Sequence, residues 1–219
     1  TDECFKARKS ISARKPSPLT RLACAKNDTA VFQLLIENGG NRCIVNPGQS
    51  PALTYEIGLT RYRIEIISNF PSKIYAEEYL PDEGSVQTAD ILYETPVTYD
   101  GDGYAPCLVE LTVPDSASAG KHFVQINVYE AKGVHDETKA FDAKLELFVY
   151  DYRMPSPQEY KCHLDLWQHD SNVARTYQLE PWSDMHFAQL EKVVAALADL
   201  GQKSVTVLAA DCPWRGWGC

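Results

Sequence analysis

The stretch HFVQINVY, residues 122–129, decides the fold class because its apolar and polar side chains alternate. Val124, Ile126 and Val128 occupy every second position, and successive side chains of a β-strand point to opposite faces. These three residues therefore predict a strand with one dry face and one wet face. Residues 145–149, LELFV, repeat the pattern, which is typical of an antiparallel sheet that covers a core.

The first 150 residues or so contain several such runs and almost no helical periodicity. Gly, Pro, Asn and Asp clusters at 39–40, 46–48, 81–84 and 100–103 separate the runs and predict turns. Short strands at near-regular spacing predict two antiparallel sheets packed as a β-sandwich. The predicted strands are 30–36, 59–67, 74–79, 107–113, 122–129 and 143–150.

The pattern changes after MPSP, residues 154–157, where two prolines predict a stiff linker. We therefore predict a sandwich domain over 1–154 and a second unit over 155–219. The second unit begins with a strand-like segment, 160–167.

An amphipathic helix follows at 184–200, and then an apolar run at 203–210 that resembles a buried parallel strand. Ser183 is placed to cap the helix, Trp182 to pack on Phe187, and Gly201 to end it. The order predicts a β-α-β unit.

Composition excludes several classes of protein. The chain has 219 residues, 44% of them hydrophobic, so it is long enough to bury a core and is not disordered. Its net charge is −9 without a sustained basic face, which argues against nucleic acid as a partner. No apolar run reaches the ~18 residues of a membrane helix, and no leader opens the chain. Because residue 1 is Thr, a removed leader or a longer N-terminal stretch is compatible with the sequence.

The seven cysteines are dispersed and contain no Cys-x-x-Cys pair, which argues against a zinc site. Nucleotide-binding fingerprints are also missing, so the sequence predicts neither a metal nor a cofactor. Irregular spacing favours reduced, buried thiols over a disulfide framework and thereby the cytoplasm. The sequon Asn27-Asp28-Thr29 is the observation that favours secretion, and the compartment stays open.

The densest polar and aromatic cluster, HLDLWQHD at 163–170, ends the first predicted strand of the second unit, and DCPWRGW at 211–217 follows the second. Ligands bind at such strand ends in parallel α/β folds. A tryptophan offers a flat face to a sugar ring, while carboxylates and amides reach hydroxyl groups. The candidate substrate-binding residues are Asp165, Trp167, Gln168, His169, Asp211 and Trp214.

Structural roles remain open for the same residues: Asp165 as a hydrogen-bonded acid that holds a loop, the tryptophans as ordinary packing. Arg175 and Tyr177, in the predicted loop before the helix, are further candidates for the same mouth. Glycoside hydrolysis needs two groups that flank the bond. The adjacent acidic pairs at 2–3, 82–83 and 136–137 lie at the terminus or in sandwich loops, where solvated turns explain them.

A set of short motifs carries a family resemblance. It consists of LDLWQH (164–169), VAR (173–175), WSD with HF (182–187), GQK (201–203) and PW (213–214). Together they resemble bacterial proteins of the DUF4091 type, which are related to the β-N-acetylgalactosaminidase family of glycoside hydrolases. The resemblance implies a β-sandwich followed by a (β/α)8 barrel and usually a further sandwich. It also implies a retaining mechanism in which the substrate's acetamido group attacks the anomeric carbon, assisted by an Asp-Glu pair at a later barrel strand.

On this resemblance the catalytic pair is expected beyond residue 219, and the candidate residues above form part of the pocket wall. One β-α-β unit cannot close a barrel, which takes ~200 residues or more. We therefore expect the N-terminal part of a glycoside hydrolase acting on N-acetylhexosamine-containing glycans, inactive by itself. The alternatives are a structural sandwich or a carbohydrate-binding module, the latter suggested by the tyrosines at 55, 62, 75, 79, 93, 99, 104 and 129.

Overall fold

The computed structural model describes residues 18–39, 41–48, 59–81, 87–100, 103–133 and 136–206. The chain divides into two compact units, Thr1–Met154 and Pro155–Cys219. The first unit consists of two β-sheets, so the predicted mainly-β fold is confirmed. None of the helices in the described residues is long and apolar enough to cross a membrane.

Ten strands are formed in the described part of the first unit. The six-stranded sheet has the order β1-β10-β9-β4-β3-β7, and the four-stranded sheet the order β2-β8-β5-β6. All six predicted strands are present; five extend beyond the predicted bounds, β10 to twice the predicted length, and β4 begins one residue later than predicted. The strands are β1 (Arg21–Lys26), β2 (Asp28–Glu37), β3 (Cys43–Asn46), β4 (Thr60–Ile67), β5 (Ser72–Pro81), β6 (Gln87–Tyr93), β7 (Val97–Tyr99), β8 (Tyr104–Val113), β9 (Gly120–Ala131) and β10 (Thr138–Arg153).

The predicted inward faces form the core between the sheets. Val124 of β9 and Leu147 and Val149 of β10 are completely buried, and Leu145 is nearly so. Phe32 of β2 meets them from the other sheet within one cluster of buried residues. Each such side chain contributes about 1.5 to 3 kcal/mol when fully buried, so the alternation read from the sequence identifies the residues that hold the sandwich together.

The sandwich departs from the predicted antiparallel pattern at two strand pairs, since β1 runs parallel to β10 and β3 runs parallel to β4. The first pair arises because β1 and β2 belong to different sheets, and the chain crosses between them at Asn27. That residue has a φ of +56°, which Asn tolerates better than most residues. Its Nδ2 donates to the carbonyl of Met154 at 2.9 Å, so the side chain of the sequon holds the end of the sandwich.

The second unit contains a short 3-10 helix (Pro157–Glu159) and two α-helices, α1 (Asp170–Thr176) and α2 (Asp184–Asp199), in its described residues. The predicted termini of α2 are confirmed. The Ser183 hydroxyl accepts a hydrogen bond from the backbone N–H of His186 at 3.3 Å, and Gly201 has a φ of +95°. The Trp182 and Phe187 rings pack with centroids 6.2 Å apart.

The strands predicted on either side of α2 are not formed in the described residues. Residues 160–167 and 203–206 have no strand assignment, and 207–210 lie outside the described part of the chain. A strand needs a backbone partner for its N–H and C=O groups. Here the side chain of Gln202 takes both polar groups of Leu166. The β-α-β unit and the barrel therefore stay predictions.

Candidate functional site

A carboxylate at the centre of the 163–170 cluster holds an exposed indole in place. The Asp165 carboxylate accepts a hydrogen bond from Trp167 Nε1 at 3.2 Å. The same group accepts one from the Thr206 hydroxyl, at 3.2 and 3.3 Å to its two oxygens. A carboxylate accepts hydrogen bonds and does not donate them, and Asp165 is the acceptor in each of these contacts. Asp165 thus acts as the loop-holding acid that was one of its two interpretations.

Trp167 is the aromatic side chain that this arrangement presents to solvent, with 70% of its surface exposed. A hydrogen-bonded Nε1 fixes the rotation of the indole and leaves its faces free, which suits stacking on an apolar sugar face. Gln168 next to it is exposed, and His169 is half-buried. The segment thus places an oriented aromatic plane next to an amide and an imidazole side chain in sequence.

Gln202 joins the segment that carries Trp167 to the chain after α2. Its Oε1 accepts from the Leu166 N–H at 3.1 Å. Its Nε2 donates to the carbonyls of Ser204 at 2.7 Å and Leu166 at 3.4 Å. Gln202 is itself buried, with 9% of its surface exposed, and its amide pairs with backbone groups of Leu166 and Ser204. The Gln202 amide therefore makes the hydrogen bonds to Leu166 that a neighbouring β-strand would make.

His186, near the N-terminus of α2, is completely buried. Its Nδ1 accepts a hydrogen bond from the Trp182 N–H at 3.0 Å, and its Nε2 donates to the carbonyl of Asp170 at 2.9 Å. Trp182 has a φ of +66°, a conformation that is uncommon for a bulky side chain. The imidazole thus connects the first residue of α1 with the residue before the N-cap of α2.

The apolar side of α2 is only partly covered and lines a groove of about 150 Å³. Phe187, Leu190 and Leu197 line one wall, and Leu166 and Val205 the other. The residues at helical spacing that predicted α2 line this groove, but none of them is buried in the described residues, and Phe187 and Val194 are exposed. Gln168, Asp170, Gln202 and Thr206 are the polar residues that line this groove.

Asp165, Trp167, Gln168 and His169 lie in one short segment of the chain, so their proximity follows from the sequence itself. Asp211 and Trp214 lie outside the described residues. The loop expected to carry Arg175 and Tyr177 is different: Arg175 lies within α1, and Tyr177 ends that helix. A helix forms there because the Asp170 side chain accepts the Ser171 N–H and the Leu179 N–H closes on Ala174.

Three residues that hold this site were missed as site residues: Thr206, Gln202 and His186. Gln202 and His186 occur in the motifs GQK and HF, but the sequence alone does not indicate which groups their side chains contact. Thr206 gave no signal, because its contact with Asp165 spans 41 residues. Contacts of that kind depend on the folded chain and not on local pattern.

Three of the tyrosines that suggested a carbohydrate-binding module make contacts within the sandwich. Tyr62 and Tyr99 are buried in the core. The Tyr129 ring is covered by the Arg63 guanidinium, 4.1 Å from its centroid. Tyr55 lies outside the described residues. The other described tyrosines of this set, at 75, 79, 93 and 104, are half-buried.

The acidic pair Asp136-Glu137 has a structural role, as expected. Asp136 accepts the N–H groups of Lys132 and Gly133 in a turn, which lowers its pKa. Glu137 makes a two-point contact with Arg63 at 2.7 and 2.8 Å, which lowers its pKa as well. The pairs at 2–3 and 82–83 lie outside the described residues.

Four cysteines lie in the described residues, and all four are free thiols. Cys24, Cys43 and Cys107 are buried in the sandwich, and Cys162 is exposed. The other three, at 4, 212 and 219, lie outside the described part of the chain. No group of three or more His, Cys, Asp or Glu side chains in the described residues is arranged to hold a metal ion.

Comparison with known proteins gives two informative results. Residues 167–217 match the family model of the glycoside hydrolase 123 catalytic domain. The fold matches a family 123 glycoside hydrolase from Clostridium perfringens, whose structure was analysed for glycolipid glycan hydrolysis, with a TM-score of 0.64 at 14% identity. That match covers 91% of this chain and 35% of the other.

Two further results carry no argument for function. A PapD-like domain of human CEP192 matches with a TM-score of 0.30 and 11% identity, covering 63% of this chain and 84% of that domain. No curated protein matches the sequence significantly. The chain thus spans about a third of a family 123 enzyme whose fold it shares, and it carries a segment similar to that family's catalytic domain, which together support a glycoside hydrolase.

Proposed function

We propose that this chain forms the sandwich domain and the opening part of the catalytic barrel of a glycoside hydrolase that acts on N-acetylhexosamine-containing glycans. The observation that carries the proposal is a coincidence of position. The segment similar to the catalytic-domain family begins at Trp167, and Trp167 is the exposed indole that Asp165 and Thr206 hold in one orientation. The motifs of the DUF4091-type proteins support the choice of N-acetylhexosamine.

In this proposal the chain supplies binding groups. The Trp167 face packs against the apolar face of a pyranose ring, a contact worth about 0.5 to 1.5 kcal/mol beyond the area it buries. Gln168 and His169 donate to and accept from sugar hydroxyl or acetamido groups. Asp165 orients Trp167 and also accepts hydrogen bonds from sugar hydroxyl groups, since a carboxylate has about four acceptor sites. Asp211 and Trp214 complete the proposed pocket wall.

The catalytic pair of the retaining mechanism is not assigned to any described residue. Asp136 and Glu137 are excluded because a turn and Arg63 already use their carboxylates. An acid that protonates a leaving group needs a pKa near the working pH, whereas these contacts lower both pKa values. We therefore propose that residues 1–219 bind glycan weakly and do not hydrolyse it.

The test compares the complete gene product with residues 1–219, using an aryl β-N-acetylhexosaminide as substrate. We expect turnover by the complete product and none by residues 1–219. Trp167→Ala in the complete product is expected to raise KM about fivefold, since loss of one stacking contact costs on the order of 1 kcal/mol. Trp167→Phe is expected to keep most of the affinity.

Tyr150→Ala is the matched control, because Tyr150 is an exposed aromatic side chain of the sandwich. An unchanged KM in Trp167→Ala would contradict the assigned binding role. Turnover by residues 1–219 alone would contradict the assignment of catalysis to another part of the protein. Glycan binding that survives in residues 1–154 would favour a binding module instead.

A further inference from the structure

We infer that His186 is a positioning residue for the proposed glycan site, fixing the backbone from which Gln168 and His169 project. This inference rests on the proposed function. His186 lies outside the set of sugar-contacting residues and acts through Asp170 and Trp182. It concerns the connection between α1 and α2, whose two ends the imidazole joins.

The two hydrogen bonds fix the state of the imidazole. A backbone N–H can only donate, so Nδ1 must accept from Trp182, and a carbonyl can only accept, so Nε2 must donate to Asp170. Both conditions hold together only in the neutral form with its hydrogen on Nε2. The ring is completely buried, and a buried polar group without its partner is costly. The two hydrogen bonds, from Trp182 and to Asp170, therefore require one tautomer and one orientation of the His186 ring.

The bonded positions are the ones that matter for the site. Asp170 directly follows Gln168 and His169, and it is the first residue of α1. Trp182 precedes Ser183, which caps α2. Through one ring, the start of α1 is fixed relative to the start of the sixteen-residue helix α2, across 16 residues of chain. A movement of Asp170 would move Gln168 and His169 with it.

The backbone of Trp182 adopts a conformation that a bulky residue rarely takes, and the contacts with His186 hold it there. A bulky residue at a φ of +66° costs on the order of 1 to 3 kcal/mol and persists only where its surroundings impose it. His186 Nδ1 accepts a hydrogen bond from the Trp182 N–H, and the Trp182 ring packs on the imidazole with centroids 5.7 Å apart. A ring that only filled space would need neither contact.

Two nearly isosteric variants separate the two bonds. His186→Gln places an amide Nε2 where the ring has Nε2, and keeps the donor to Asp170. His186→Asn places Oδ1 where the ring has Nδ1, and keeps the acceptor for Trp182. In the complete gene product we expect His186→Asn to raise KM about tenfold with kcat changed less than about twofold, and His186→Gln to restore most of the affinity. A purely structural role would affect the two variants alike.

A spectroscopic measurement tests the tie without any variant. In the 219-residue chain labelled with ¹⁵N, we expect the His186 ring to show the neutral form with hydrogen on Nε2 at neutral pH, and that hydrogen to exchange slowly. A ring with hydrogen on Nδ1, or a charged ring, would overturn the inference.

Gln168→Ala distinguishes failure of the inference from failure of the proposed function. If Gln168→Ala raises KM and His186→Asn does not, the positioning role is overturned while the site stands. If Gln168→Ala leaves KM unchanged, Gln168 is not a glycan contact, and the inference fails with the assignment on which it rests.

Discussion

The amide of Gln202 should hold the candidate site to the chain after α2, and its removal gives the most direct test of this structure. Gln202→Ala deletes three hydrogen bonds, to the N–H of Leu166 and to the carbonyls of Leu166 and Ser204. At about 1 kcal/mol net for each, with the 3.4 Å bond the weakest, we expect a loss of about 2 to 3 kcal/mol. This corresponds to a roughly 30- to 150-fold shift in the local unfolding equilibrium.

The distribution of tryptophan makes the assay selective. All four tryptophans, at 167, 182, 214 and 217, lie in the second unit, and the sandwich has none. Urea unfolding followed by tryptophan emission therefore reports the second unit, while far-ultraviolet circular dichroism reports mainly the sandwich. We expect Gln202→Ala to shift the emission transition and leave the sandwich transition unchanged.

Two further variants sharpen the measurement. Gln202→Glu keeps an acceptor for Leu166 N–H but turns a second oxygen toward two carbonyls, so it should destabilise at least as much as alanine at neutral pH. Gln189→Ala is the control, because the contact of the Gln189 side chain within the described residues is a hydrogen bond from Lys192 on the same helix. The reasoning fails if Gln202→Ala moves the emission transition by less than about 0.5 kcal/mol, the range of ordinary surface substitutions.

Three other outcomes are expected. Gly201→Ala should destabilise the second unit by about 2 kcal/mol or more, because φ is +95° and the new Cβ would lie 2.5 Å from the Pro157 carbonyl oxygen; an unchanged emission transition in urea would contradict this. Ser183→Ala should cost about 1 kcal/mol by removing the N-cap of α2, and Ser183→Asp should restore it; equal stabilities in urea would contradict the capping role. Alkylation at pH 8, followed by peptide mass spectrometry, should label exposed Cys162 and spare Cys24. The thiolate is the reactive form, and burial, with a smaller contribution from Asp28, raises the pKa of Cys24 to about 12. Rapid labelling of Cys24 in the folded chain would contradict its burial.

The fold of the sandwich could be read from the sequence where local pattern and burial coincide. Val124, Ile126 and Val128 alternate with polar residues and face the core. Four strands were not predicted, β1, β3, β6 and β7, and two of them are very short: β3 has four residues and β7 three. Their formation depends on neighbours already in place, and a short segment carries too few alternations to show this.

The candidate site divides in the same way. Its aromatic and polar residue types, and the helix with its Ser183 cap and Gly201 end, were visible in the sequence because each depends on neighbours within a turn or two. The segment 160–167 resembled a strand by composition, yet it has no ladder partner among the described residues, and Gln202 takes its polar groups.

By itself, therefore, the sequence determined the mainly-β architecture, the faces of its core strands and the capped helix α2. Only the tertiary structure decided what the polar residues do: Asp165 is committed to Trp167 and Thr206, and His186 to Asp170 and Trp182. The physical reason is the range of the interactions. Periodicity and capping act over a few residues, whereas the partner of a buried polar group is chosen by whichever distant segment folding brings within about 3 Å.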